Sequence, residues 1–151
     1  MKANPARLDP AAYPHLIDIP SRFSDIDAQM HLNNVRIAEY YQEGRVTFFR
    51  RFAAEEGYER GKGSRILVAH QSMDYLGEVQ YPGVVSVGAG VARIGNTSYT
   101  LGLGMFQSGR CVGLSRCVMV YGNQAGPAPL PAPFRAILER NLLPPAAREG
   151  T

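Results

Sequence analysis

The segment from Ser24 to Asn34, SDIDAQMHLNN, gathers two carboxylates (Asp25, Asp27), a carboxamide (Gln29), an imidazole (His31) and two asparagines directly ahead of a helical pattern. Such a grouping suits acyl transfer. The first turn of a helix presents backbone N–H groups without intrahelical acceptors, together with the positive end of its dipole. These can hold the oxygen of a polarised carbonyl. A carboxylate beside them can attack the carbonyl carbon or deprotonate a water. A thioester is a suitable electrophile, because its thiolate departs without strong acid assistance. The chain has no Gly-x-Ser-x-Gly elbow, so a serine-hydrolase mechanism lacks support.

A long helical pattern, from about Val35 to Gly57, must position that segment. At 100° per residue, Val35, Ala38, Tyr41, Phe48, Phe49, Phe52 and Ala53 fall on one stripe; Arg36, Glu39, Glu43, Thr47 and Arg50 fall on the other side. Asn33 or Asn34 suits the N-cap, and Gly57 the C-terminal stop. Gly44 inside the pattern costs about 1 kcal/mol relative to alanine, which points to close approach by another chain segment or a ligand. Arg45 interrupts the apolar stripe. It reads either as a side chain whose head reaches water or as a guanidinium paired to a buried acid such as Asp25.

The remainder is β-rich. His15 to Phe23 reads as a strand carried by Leu16, Ile17 and Ile19. After the helix, the basic loop ERGKGSR leads into RILVAHQSMDYLG, and the turn-like QYPG into VVSVGAGVARIG, NTSYTLGLGMFQ and CVGLSRCVMVYG. The last three alternate. Val85, Val87, Ala89 and Val91 oppose Ser86, Gly88, Gly90 and Ala92; Tyr99, Leu101, Leu103 and Met105 oppose Ser98, Thr100, Gly102 and Gly104; Val112, Leu114, Val118 and Val120 oppose Cys111, Gly113, Ser115 and Cys117. Each strand thus has a bulky face and a face of small residues. Glycines at such positions imply strong bending around a helix or a close sheet or subunit contact. Short SGR and IGNTS links imply antiparallel hairpins. One small sheet and one long helix must bury their apolar faces against each other. The expected fold class is therefore α+β: a curled antiparallel β-sheet wrapped around one long central α-helix. Residues 1–151 read as a single domain with a proline-rich tail from about 123, whose helical pattern PFRAILERNL is expected to form a peripheral cap or partner contact.

Composition agrees with a globular chain: of 151 residues, 45% are hydrophobic and 19% charged. A net charge of +3 is too small and too scattered to argue for nucleic acid. No stretch approaches the roughly 20 apolar residues of a membrane span, and the start MKANPARLDPAAYP lacks the apolar core of a secretory signal. Cys111 and Cys117 lie in one expected strand, and six extended residues cover roughly 20 Å, beyond disulfide reach. With three separated histidines and no paired-Cys motif, a zinc site has little support. A reduced, cytoplasmic protein is expected, with no nucleic-acid or membrane partner.

The run DIDAQMHLNN followed by VRIAEYYQEGR resembles the signature of the hotdog-fold acyl-CoA thioesterases of the 4-hydroxybenzoyl-CoA thioesterase type, approximately D-x-D-x-x-G-H-V-N-N-x-x-Y-x-x-Y-x-E-x-x-R. MDYLGEVQYPG, the IGNTSY stretch and the final valine-rich strand are similar to that family's later segments. The resemblance implies a hotdog fold and hydrolysis of acyl-CoA to free acid and coenzyme A, a step of fatty acid metabolism. It implies that Asp27 is the catalytic carboxylate, as nucleophile or as general base, and that the backbone N–H of Asn34 binds the thioester oxygen. His31 also matches a motif position; its bland alternative is a hydrogen bond to a backbone carbonyl that shapes the loop. Asp27, Gln29 and His31 together are similar to the Asp-x-Asn-x-His run of plant acyl-ACP thioesterases, with glutamine in place of asparagine. Met30 stands where the family commonly has glycine, and Ile37 where it has tyrosine. Arg93 and Ser98, flanking the IGN turn, are candidates to contact the coenzyme A moiety, and the Arg60, Lys62, Arg65 loop is either a solvated turn or a contact to its phosphates. Tyr40, Tyr41 and Met73 are candidate pocket walls by their bulk. No metal or organic prosthetic group is implied, coenzyme A entering only as part of the substrate. Family members form homodimers or homotetramers with active sites between subunits. The alternative functions are a non-catalytic acyl-CoA-binding or sensing module and a hotdog dehydratase.

Overall fold

Helix α1 spans Asn34–Glu56 in the computed structural model, which describes residues 3–148 and, of Ala53, the backbone alone. Asn33 caps it, its side chain accepting from the Val35 N–H at 2.8 Å. Gly57 ends it at φ 61, a left-handed conformation that costs glycine nothing. The buried face carries Ile37, Tyr40, Tyr41, Gly44, Phe48 and Phe52. It is rotated from the expected stripe: Val35 is 64% exposed, Ala38 and Phe49 are half-buried flank residues, and the Ala53 side chain lies outside the described residues. Glycine carries no apolar weight in a periodicity count, yet Gly44 marks the centre of the contact. A Cβ there would stand 2.5 Å from Val87 Cγ1, so the missing side chain is what lets the helix settle onto the sheet.

The sheet is built from β1 (His15–Pro20), β2 (Arg65–Tyr75), β3 (Val84–Ile94), β4 (Ser98–Gln107) and β5 (Arg110–Asn123), with the two-residue β6 (Gly126–Pro127) beside β5. Its order is β1-β3-β4-β5-β2 and every pairing is antiparallel. β1 stops at Pro20 rather than Phe23, because Phe23–Asp25 turns into a short 3₁₀ segment that starts the loop. Register shifts between Val68 and His70, Val91 and Arg93, and Met105 and Phe106 bend the strands and curl the sheet around α1. On β3 and β4 the bulky faces meet the helix as expected, with Val85, Val87, Ala89, Val91, Tyr99, Leu101, Leu103 and Met105 all in the core. On β5 the assignment is reversed. After Val112 the shift turns Gly113, Cys117 and Met119 toward α1, where a Cβ on Gly113 would meet the Tyr41 hydroxyl at 2.6 Å.

The opposite, small-residue face receives the chain's own ends. Tyr13 lies over Gly88 and Gly104, and Leu143 over Gly90 and Gly102, each so close that a Cβ would collide. Arg7 donates from Nη2 to the carbonyls of Leu103 (3.1 Å) and Ser115 (2.8 Å). The tail is not a peripheral cap. Its helix α2 (Ala132–Arg140) contributes Phe134, Ile137 and Leu138 to the main core, because the helix's apolar residues share one side and close the end of the sheet–helix interface. Cys111 and Cys117 are both free thiols. No helix among the described residues is long and apolar enough to cross a membrane.

Candidate active site

The loop between β1 and α1 is held by Asp25. This carboxylate is fully buried and accepts from the Tyr40 hydroxyl at 2.5 Å and from Arg22 Nε and Nη2 at 3.1 and 3.2 Å, while Arg36 Nε stands 4.0 Å away. Its backbone carbonyl accepts from the Asn33 N–H at 2.8 Å, which ties the loop to the helix cap. Burial alone pushes the Asp25 carboxyl pKa up. The Tyr40 and Arg22 hydrogen bonds and the Arg22 charge outweigh it and leave the group below its ordinary value. Burial, and then the hydrogen bond to Asp25, push Tyr40 up to about 12, so it remains a proton donor to the carboxylate. The acid's guanidinium partner is thus Arg22, not Arg45. Tyr40 edges an open groove beside β1, but its hydroxyl is committed to Asp25; Tyr41 is buried in the helix–sheet core, and Met73 packs against that core.

Asp27 is positioned differently. It is half-buried, and its Oδ1 accepts from the backbone N–H groups of Gln29 (2.9 Å) and His31 (3.4 Å). Its own N–H donates to the His31 carbonyl at 2.9 Å, and its carbonyl accepts from Met30 N–H at 3.0 Å. The turn closes with Met30 at φ 64. Left-handed backbone of this kind favours glycine, so methionine here carries strain of about 1–2 kcal/mol. Among the described residues no donor is bonded to Asp27 Oδ2, which leaves that oxygen for chemistry.

His31 reaches Asp27 through its backbone, while its ring points elsewhere: Nε2 lies 3.1 Å from Oε2 of the exposed Glu78. Bridges from His31 to Gln80 and from Ile26 to Leu32, with the Leu32 N–H on the Val79 carbonyl, stitch the loop to the segment before β3. Asn34 is the first residue of α1, a position whose backbone N–H has no acceptor within the helix, and Asn33 spends its side chain on Val35. The structure therefore brings Asp27, His31 and the helix start into one loop. Arg93 and Ser98 flank the β3–β4 link, at the far end of β3 from the Gln80 and Val84 side where this loop docks. Along one strand of that length the separation is roughly 30 Å.

Two open grooves flank the loop: one of about 880 Å³ bordered by Ile19, Arg22 and Tyr40, and one of about 470 Å³ bordered by Glu78, Gln80 and Arg110. Phe23, Met30 and Val35 stand exposed around the loop. Glu78, Arg22 and the anchoring role of Tyr40 escape a reading of the sequence. Arg22 has a local signal, lying three residues before Asp25 at the start of a turn, whereas Tyr40 and Glu78 meet the loop only through folding. Among the described residues, no group of three or more histidines, cysteines and carboxylates converges as a metal site.

This arrangement can be set beside known proteins. A model of the Thioesterase-like superfamily matches residues 21–138, from the loop through α2. The chain belongs to that superfamily. No protein of curated function matches it in sequence. Among solved structures, a predicted thioesterase from Bacillus stearothermophilus is 28% identical with a TM-score of 0.75, the match covering 87% of this chain and 98% of that one. A thioesterase from Thermus thermophilus, complexed with coenzyme A and zinc, is 26% identical with a TM-score of 0.74, covering 85% and 94%. A gentisyl-coenzyme A thioesterase shares the fold at 14% identity and a TM-score of 0.70, covering 82% and 98%. This thioesterase-like chain has the hotdog fold, with α1 as its central helix.

Proposed function

We propose that this thioesterase-like protein hydrolyses acyl-CoA thioesters to a free carboxylic acid and coenzyme A. Asp27 Oδ2 either takes a proton from the attacking water or attacks the thioester carbon itself. In both routes negative charge develops on the thioester oxygen, and the Asn34 backbone N–H at the start of α1 receives it. A donor of this kind is worth about 3–4 kcal/mol of barrier. The thiolate of coenzyme A leaves with the electrons of the broken C–S bond and takes up a proton, and water supplies the second oxygen of the acid. The observation that carries the reading is the Asp27 carboxylate, fixed through one oxygen by two backbone N–H groups in the loop that enters the helix. Exposed Phe23, Met30 and Val35 supply apolar surface for an acyl group. A relative complexed with coenzyme A supports the thiol moiety of the substrate; Arg93 and Ser98, at the far end of β3 from Asp27 in their own protomer, are proposed to contact it from a second protomer.

The same reading includes a homodimer, or two such dimers, with the site completed between protomers. β2 supports it: an eleven-residue edge strand with one side unpaired and with Leu67, Val68 and Tyr75 exposed. Two such edges paired about a two-fold axis satisfy each other's backbone groups. Sedimentation at micromolar concentration should give at least a dimer, and a lone monomer refutes this part. The test of the activity is thiol release from a panel of acyl-CoA esters, aliphatic and aromatic. Turnover of at least one is expected; tight binding with no thiol released across the panel instead establishes a sensing module.

A further inference from the structure

The arm of the Asp27 loop that carries His31 docks on the chain between β2 and β3. His31 faces Gln80 there in an isolated antiparallel bridge, and the bond across it runs from the Leu32 N–H to the Val79 carbonyl at 3.3 Å. In a pair of that kind the N–H and C=O of Gln80 turn the other way. The Gln107 carboxamide takes both: its Oε1 accepts from the Gln80 N–H at 2.8 Å, and its Nε2 donates to the Gln80 carbonyl at 2.9 Å. This side chain thus stands in the place of a further strand. Gln107 is the last residue of β4, and the two-residue turn after it, with Ser108 at φ 52 and Gly109 at φ 75, pairs it with Arg110 and fixes its direction. Gly83 leaves room for it, since a Cβ there would stand 2.7 Å from Gln107 Nε2. From the other arm of the loop Ser21 grips the same segment, its N–H and hydroxyl donating to the Gly83 carbonyl at 2.9 and 2.7 Å.

We propose that Gln107 is a positioning residue for the hydrolysis: through the backbones of Gln80 and His31 it sets where Asp27 holds its free oxygen, a role that rests on Asp27 being the catalytic carboxylate. Two observations show why the turn needs such a support. The His31 N–H lies 3.4 Å from Asp27 Oδ1, at the long limit of a hydrogen bond, so that contact alone holds the His31 backbone weakly. The turn also contains the left-handed Met30, and a strained residue persists only where its surroundings over-determine it. Gln107 borders the groove beside Glu78 and Arg110, but both polar atoms of its carboxamide are committed to Gln80, so it acts on the turn and not on the substrate. Loss of the support should therefore appear in kcat rather than in KM, because a small displacement of a reacting group slows the chemical step strongly.

Two variants test the role. Gln107→Met keeps the length of the side chain and removes both bonds; Gln107→Asn stays polar but is one methylene too short to make them. For an ester that the wild type turns over, and at a temperature where both variants are fully folded, kcat should fall by about tenfold or more while KM stays within about twofold. Amide hydrogen exchange reads the positioning without activity. The Asp27 and Leu32 amides, bonded to the His31 and Val79 carbonyls, should exchange about tenfold faster in both variants, and the Val87 and Leu103 amides of the sheet should change less. Unchanged exchange at Asp27 and Leu32, faster exchange there with kcat unaltered, or a rise in KM at unaltered kcat would each overturn the proposal. If the wild type turns over no ester of the panel, it is the hydrolysis that fails, and the exchange rates still decide whether Gln107 holds the turn.

Discussion

Replacing Asp25 by asparagine removes one charge at the point where the loop, the 3₁₀ turn and α1 meet. The side chain keeps its size, so the loss is electrostatic. Tyr40 donates to the buried carboxylate at 2.5 Å, and a hydrogen bond to a charged group is worth about 1.5–3 kcal/mol. Arg22 adds less, because its side chain is 66% exposed and solvent screens its charge. Asp25→Asn should therefore cost about 2–3 kcal/mol at pH 7, a drop in Tm of roughly 5–10 °C for a chain of this size. The pH dependence follows from the lowered folded pKa. A carboxyl group that titrates lower in the folded than in the unfolded chain contributes stability that is present above the unfolded value, about 3.9, and is lost as pH falls through the folded one. The gap between wild type and variant should be full at pH 7 and narrow as pH falls from about 5 to 3. Circular dichroism melts at equal protein concentration across that range measure it. Coincident melting at pH 7, or a gap that does not shrink with acid, refutes the anchoring role.

Met30→Gly should stabilise the protein by about 1 kcal/mol. It relieves about 1–2 kcal/mol of left-handed strain against about 0.5–1 kcal/mol of added chain entropy, and the exposed methionine gives up little burial; a lower urea midpoint argues against it. Gly44→Ala should destabilise by about 1–3 kcal/mol despite alanine's better helix propensity, because the new methyl meets Val87 Cγ1. Pairing it with Val87→Ala should recover part of the loss, and strict additivity of the two changes contradicts the contact.

Much of the frame is legible before folding. Asn33 and Gly57 bracket the helix because capping and the left-handed stop depend on neighbouring residues alone, and alternation places β3 and β4 correctly. The errors arise where distant chain meets. A register shift inverts β5 and puts its small residues toward the helix. Gly44 faces the sheet although it has no apolar side chain to announce it, so periodicity draws the stripe toward Val35, Ala38 and Phe49. Of that flank, Phe49 borders an open groove that Arg45 also lines, so the half-buried guanidinium needs no pairing with Asp25. The small faces of β3 and β4 accommodate Tyr13 and Leu143, from opposite ends of the chain, a pairing that no local pattern encodes. In the candidate site, the Asp27 turn is legible as a short local motif, while the partners Tyr40 and Glu78 come from separate elements.

Asparagine at position 27 is the most direct probe of the catalytic assignment. Its side-chain oxygen can still accept from the Gln29 and His31 N–H groups, so the loop is preserved while the base or nucleophile is removed. With a substrate found active in the acyl-CoA panel, thiol release by Asp27→Asn should fall by at least about 100-fold, with the circular dichroism spectrum and Tm unchanged. Release within a few-fold of the wild-type rate would contradict the assignment of Asp27 as the catalytic carboxylate.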